Sequence, residues 1–269
     1  MCINTELSAT EYQNFRLFIH TACGIELGNK KQFLVVSRLN KRLRHLNIGS
    51  YTEYLALINH PKEFQERQTA IDLLTTNETY FFRESGHFDF LRERVLPNLQ
   101  ANTAIRIWSA ACSSGEEAYS VGMELAQNTR HPHWEVFATD INESVLQKAS
   151  CGLYALERIE GMPKEYLQKY CLKGIEEYAG TMLIEQRLRD KITFQQLNLI
   201  QTLPRIGKFD VIFLRNVLIY FDAATKQRVI GNVFSALKPH GYLFVGHSES
   251  IKNLKNGLKF IAPTIYQKV

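Results

Sequence analysis

Five stretches of this chain carry residue types able to do chemistry, and four of them stand where an apolar run stops. The first is Ala110-Ala-Cys-Ser-Ser-Gly-Glu-Glu117. Small residues there allow close approach of backbone to a ligand. Only Gly115 is a glycine, so the dinucleotide fingerprint G-x-G-x-x-G is absent. Glu116 and Glu117 would repel a pyrophosphate but tolerate a cationic or hydroxyl-rich ligand. Stabilisation of a helix dipole explains the pair equally well. The second is Asp140, 25 residues after Gly115. A carboxylate there can accept hydrogen bonds from both hydroxyls of a ribose, or cap the next helix. Third is Asn198, suited either to an adenine edge or to capping a loop. Fourth is Leu214-Arg-Asn-Val-Leu-Ile-Tyr220. Arg215 and Asn216 directly follow a buried run, where polar groups are costly unless paired, which favours a functional role. The fifth, Thr75 to Glu84, sets Asn77, Thr79 and Arg83 beside Tyr80, Phe81 and Phe82. The aromatics suit a wedged interdomain linker. The polar residues are more than a linker needs, and suit a lid over a site.

The elements that must position these residues follow from periodicity. Apolar runs at 105–111, 134–139, 192–197, 209–214, 241–246 and 259–267 read as strands. Helical patterns at 115–127, 142–149 and 223–237 alternate with them, the last ending at Lys238-Pro239. Such alternation predicts an α/β fold with a parallel sheet covered by helices. Its ligands would bind beyond the carboxyl ends of the strands, where four of the five stretches fall. About 40 residues precede the strand at 192, too many for one crossover, and Gly174, Gly180 and Met182-Leu-Ile-Glu suggest an inserted β-hairpin unit. Residues 1 to about 75 read as helices only, with Ser8 or Thr10 as the first cap and Glu11 placed for a capping box.

The net charge of +5 is concentrated. Between Leu27 and Thr52 there is no acid, and Lys30, Lys31, Arg38, Lys41, Arg42 and Arg44 lie there; without these six the chain has 26 basic and 27 acidic residues. On a helix, Phe33, Val35, Val36, Leu39, Leu43 and Leu46 share one arc, and Lys31, Arg38, Arg42 and His45 fall opposite. The basic face is either a solvated surface or a dock for an acidic partner. No aromatics are interleaved for base stacking, which disfavours nucleic acid. The run at 211–221 is broken by Arg215 and Asn216, so no segment is expected to span or enter a bilayer. No secretory signal is expected either, since Glu6 and Glu11 stand where an apolar region would be. Five cysteines without a C-x-x-C pair give no zinc spacing and fit a reducing cytoplasm.

Taken in order, Asn77-Glu-Thr-Tyr-Phe-Phe-Arg-Glu84, Ser109-Ala-Ala-Cys-Ser-Ser-Gly-Glu-Glu117, Ala138-Thr-Asp-Ile141, the stretch 209–222 and Gly246-His-Ser-Glu-Ser250 resemble the chemotaxis receptor methyltransferases, the CheR family. The resemblance runs along nearly the whole chain. It implies a class I, Rossmann-like S-adenosylmethionine-dependent methyltransferase core with a small all-helical N-terminal domain and an inserted small antiparallel β-subdomain. The implied division is a helical domain at 1–75, a linker or lid at 76–103 and the methyltransferase domain at 104–269, with the insertion at about 152–191. The implied reaction is methylation of receptor glutamate carboxylates to γ-methyl esters, with S-adenosylhomocysteine as product.

Carried over by residue, Asp140 would hold the ribose, and Ala111 and Glu117 would line the methionine and ribose side. Asn198 and Leu199 would flank the adenine, and Arg215 and Asn216 would contact the cofactor. Asn77, Thr79, Arg83 and Tyr220 would surround the methyl group and incoming carboxylate, with Arg83 and Tyr220 as the catalytic pair. Lys31, Arg38, Lys41, Arg42 and Arg44 would dock the acidic, glutamate-bearing helix of the receptor's cytoplasmic bundle. The inserted subdomain would correspond to the part that, in some members, grips a receptor's C-terminal peptide. A cytoplasmic monomer is the implied form. Ala118 stands where the family usually has Pro, which alters the stiffness of the helix start rather than the chemistry. Other readings stay open on residues alone: a methyltransferase for nucleic acid or a small molecule, a nicotinamide dehydrogenase (disfavoured by the missing glycines), and a non-catalytic binding module.

Overall fold

The computed structural model describes residues 6–99, 104–129, 131–252, 254 and 257–269. The chain divides into two compact units. The smaller is helical and comprises the described residues up to Thr76 together with Tyr220–Lys226. Its helices are α1 (Ala9–Cys23), α2 (Gln32–His45), α3 (Tyr51–Asn59) and α4 (Phe64–Leu74). Ser8 caps α1 as expected. Its hydroxyl accepts from Glu11 N at 3.2 Å while the Glu11 carboxylate takes Ser8 N at 2.9 Å. Gly24, at φ 78°, ends the helix in the left-handed region. The core buries Phe15, Ile19, Val35, Leu39, Leu43, Tyr54 and Ile58.

Helix α2 departs from the helical-wheel expectation in two ways. Phe33 is 82% exposed instead of joining the apolar arc. Arg38 and Arg42 are turned to α4 rather than to open solvent. Arg38 donates to Leu74 O and Thr75 O at 2.9 and 2.8 Å. Arg42 pairs with Glu66, whose Oε1 also accepts from Tyr54 OH at 2.7 Å. Lys30, Lys31, Lys41 and Arg44 are exposed.

The larger unit opens with α5 (Gly86–Phe90), a π turn and a 3-10 turn. It continues through β1 (Ile105–Ala110), α6 (Glu116–Asn128), β2 (Trp134–Asp140) and α7 (Glu143–Cys151). Then follow β3 (Leu153–Ala155), α8 (Lys164–Tyr170), β4 (Cys171–Lys173), β5 (Thr181–Ile184), α9 (Gln186–Arg189), β6 (Ile192–Gln196) and β7 (Phe209–Leu214). Helix α10 (Ala223–Ala236), β8 (Leu237–Val245), β9 (Leu258–Ala262) and β10 (Ile265–Lys268) close the chain. Among the described residues, one sheet has seven strands in the order β6-β2-β1-β7-β8-β10-β9. The run β6-β2-β1-β7-β8 is parallel, and β10 and β9 are antiparallel additions. β3, β5 and β4 form the small antiparallel sheet expected of the insertion.

Two strand expectations are corrected. The single last strand is a hairpin, because Thr264 at φ 63° turns the chain. β8 begins at Leu237, where the sequence suggested the helix would end, and includes Pro239; the β7–β8 register shifts between Phe209 and Val211. Residues 77–99 are built into this unit's core, with Phe81, Phe82, Phe88, Leu91 and Val95 buried.

Candidate functional site

The connections from β1 through β2 to β6 run one way across the sheet, and those from β7 to β8 run the other. The strand order therefore reverses between β1 and β7, which opens a crevice at their carboxyl ends. Ala111 follows β1, Asp140 ends β2, Asn198 follows β6, and Arg215 and Asn216 follow β7.

The tightest constellation is centred on Arg215, whose side chain is 1% exposed. Its guanidinium lies 3.1 Å from Glu84 Oε2 and 3.1 Å from Glu117 Oε2, donates to Arg83 O, and sits over the Phe88 ring. Glu117 Oε1 accepts from Ser109 Oγ at 2.6 Å. Asn216 Nδ2 donates to Glu84 Oε1 at 3.2 Å. Glu249, buried, accepts from the backbone N–H groups of Asn216, Leu218, Ile219 and Gly246 at 2.6–3.3 Å, fixing the ends of β7 and β8 together. A Cβ on Gly246 would stand 2.7 Å from Asn216 Nδ2, so this approach requires glycine. Phe82, Glu84, Ala111, Ser113 and Asn216 all have positive φ, between 51° and 66°. Strained backbone concentrates here because each carries a side chain or carbonyl to a defined place.

Electrostatics follows from burial. Burial alone would push the Glu84 carboxyl up, but Arg215, the Asn216 amide and the His247 N–H outweigh it and hold it below the usual carboxylate range. For Glu117, burial wins over Arg215 and Ser109, and its carboxyl is raised. Two carboxylates thus face one guanidinium.

Asp140 is 7% exposed, and its oxygens accept from Ser113 N at 2.8 Å and Asn142 N at 2.9 Å. The N-cap of α7 is Asn142, whose side chain accepts from Val145 N at 3.1 Å. Ser113 Oγ donates to Asn77 O at 3.0 Å, joining the segment before α5 to the β1–α6 turn. Gly115, at φ 93°, serves packing rather than ligand approach: a Cβ there would meet Ala149 Cβ at 2.8 Å and Tyr154 OH at 3.0 Å.

Other sequence-predicted residues lie apart from the Arg215 cluster. The Arg83 guanidinium is directed to Glu78 O at 2.8 Å and to the Tyr80 ring, and only its carbonyl reaches Arg215. Thr79 is half-buried, with its carbonyl taking Arg158 at 3.3 Å. Asn198 Oδ1 accepts from Ile200 N at 3.2 Å, a loop cap, and Leu199 is buried behind it. Tyr220 groups with the helical unit, where its carbonyl accepts from Glu26 N at 2.8 Å. Glu84, Ser109, Ser113 and Glu249 were not singled out from sequence. All four stand within the quoted motifs.

The CheR methyltransferase all-alpha domain family matches residues 10–75, and the CheR methyltransferase SAM binding domain family matches residues 77–267. The chemotaxis protein methyltransferase of Escherichia coli (strain K12) is 38% identical over 265 residues, covering 97% of this chain and 91% of that protein. Chemotaxis protein methyltransferase 2 of Pseudomonas aeruginosa is 38% identical over 259 residues, covering 95% and 92%. A crystal structure of a SAM-dependent methyltransferase from Methanosarcina mazei overlaps 55% of this chain and 54% of its own at TM-score 0.34 and 20% identity.

Proposed function

Because the chain belongs to the CheR methyltransferase family and its larger unit is a SAM-binding domain, we propose that it methylates glutamate carboxylates on the cytoplasmic helical bundle of chemoreceptors. The observation that carries this reading is the buried Glu84–Arg215–Glu117 group at the sheet's reversal point. Its excess of negative charge suits a cofactor bearing a positive sulfur and an amino group. Arg215 Nε is buried without a hydrogen-bond partner among the described residues, which suits the cofactor's carboxylate. The residues present therefore fit S-adenosylmethionine.

Bound there, S-adenosylmethionine supplies a methyl already activated by positive sulfur, so a glutamate carboxylate (pKa about 4.3) can take it by direct displacement. No general base is needed, and the protein's work is positioning and exclusion of water. Asp140, at the carboxyl end of β2, offers its carboxylate to the ribose hydroxyls. Ala111, Glu117, Asn198 and Leu199 form the remaining walls for the nucleoside and methionine parts. Arg215 and Asn216 hold the methionine end, and Asn77 and Thr79 border the methyl group. Arg83 leaves Glu78 O to orient the incoming carboxylate. A full two-bond pairing with Arg83 would quieten the nucleophile, so contact is through one nitrogen.

The test is incubation with methyl-labelled S-adenosylmethionine and receptor-containing membranes. Label should enter receptor protein and leave as methanol in alkali. Stable label, or label in nucleic acid or a small molecule, would assign the enzyme to another substrate.

A further inference from the structure

Beside the Arg215 cluster, but used by no part of that reaction, His87 is 2% exposed on α5. Its two ring nitrogens have different surroundings. Nε2 lies 2.7 Å from Thr264 Oγ1, in the turn between β9 and β10. The Thr264 hydroxyl in turn donates to Pro263 O at 2.6 Å. With that hydrogen committed, Thr264 Oγ1 accepts from His87 Nε2–H. In that arrangement the neutral ring carries its proton on Nε2, and Nδ1 is a bare lone pair.

That lone pair has no hydrogen-bond partner among the described residues. It faces Glu84 Oε2 at 3.6 Å. Acceptor against acceptor in a buried place is unfavourable unless a proton or cation lies between them.

A third donor completes the group. His247 follows the end of β8, and its Nε2 lies 3.9 Å from Glu84 Oε2. Glu84 Oε2, His87 Nδ1 and His247 Nε2 all lie within 4.8 Å of one another. The two imidazole rings are 5.3 Å apart and inclined at 70°, so they converge rather than stack. Two imidazole nitrogens and one carboxylate oxygen are a donor set suited to zinc-class ions. The Thr264–His87 hydrogen bond is the outer-shell support that fixes a ligating ring's tautomer. Arg215 shares Glu84 Oε2, but Glu117 offsets its charge.

We propose that Glu84, His87 and His247 bind one divalent zinc-class ion, which clamps the chain after β8 to α5. No such signal was legible from sequence, since His247 lies 163 positions from Glu84 and no cysteine is involved.

Full-length protein stripped with chelator should bind one Zn²⁺ per chain by calorimetry. Co²⁺ should give the visible absorption of a four-coordinate site. His247 is 61% exposed in its side chain, so His247→Ala should fold with an unchanged metal-free melting temperature. That variant should bind Zn²⁺ at least about 10-fold more weakly, the smallest loss typical even of outer-shell changes. Thr264→Val, which removes the proton acceptor for Nε2, should also weaken binding without touching a ligand. Absence of stoichiometric binding, or equal binding by wild type and His247→Ala, would overturn the proposal. The latter outcome would place the ion on other histidines. Neither outcome bears on methyl transfer, which is read separately by methanol release.

Discussion

At the scale of single residues, Arg83 and Asp140 divide the proposed labour. Arg83 is half-buried on its own loop and bonded to Glu78 O, free to be recruited by a carboxylate. Arg83→Ala should therefore lower turnover far more than affinity for S-adenosylmethionine, measured by single-turnover kinetics and calorimetry. Equal losses of both would remove its orienting role. Asp140→Ala should do the reverse, weakening cofactor binding first, because the carboxylate also holds the Ser113 and Asn142 N–H groups that shape the wall. Much of this was legible in the sequence. A polar pair directly after a buried strand needs partners, and Arg215 meets Glu84 and Glu117 while Asn216 donates to Glu84. Their partner Glu84 was not legible, because the Asn216–Glu84 pair spans 132 positions and nothing local specifies it.

At the scale of elements, α2 shows what a hydrophobic pattern does and does not determine. Its period placed Val35, Leu39 and Leu43 inward correctly. A helical wheel gives the angle of a side chain but not what stands next to it, and α4 occupies the side to which Arg38 and Arg42 turn. The docking proposal accordingly rests on Lys31, Lys41 and Arg44, which are exposed. Reversing these three to Glu should slow methylation of intact receptors roughly tenfold or more at low salt, with the gap narrowing as ionic strength rises. Cofactor affinity should not change. An unchanged rate would leave the face as solvated surface. Arg42→Ala belongs to a different class. It strips Glu66 of its ion pair and should cost stability on the order of 1–3 kcal/mol, read from denaturant unfolding.

At the scale of the whole molecule, that same ion pair gives an acid limit. Burial pushes the Glu66 carboxyl up, but Arg42 and Tyr54 outweigh it, leaving it below its ordinary value of 4.5. The unfolded chain then takes up this proton more readily than the folded one. The stabilisation is fully present above about pH 4.5 and is lost as pH falls through the folded value. Glu66→Gln should flatten that acid slope in denaturant midpoints followed by circular dichroism, while lowering stability at pH 7. An unaltered slope would assign it to other carboxylates. Strand alternation predicted the parallel sheet because each strand and helix is a local pattern. The terminal hairpin escaped, since Thr264 carries no glycine signal for its left-handed turn.

The return of Tyr220–Lys226 to the helical unit bears on how such a molecule can be rebuilt. That unit is discontinuous in sequence: its second piece is anchored by Glu26 N to Tyr220 O, by the Ile25–Phe221 bridge and by His20 on Asp222 at 3.0 Å. A chimera that takes the first 76 residues from a relative would set foreign side chains against a native Tyr220 segment. The transplantable module is therefore two fragments, and residues 220–226 must travel with the helices.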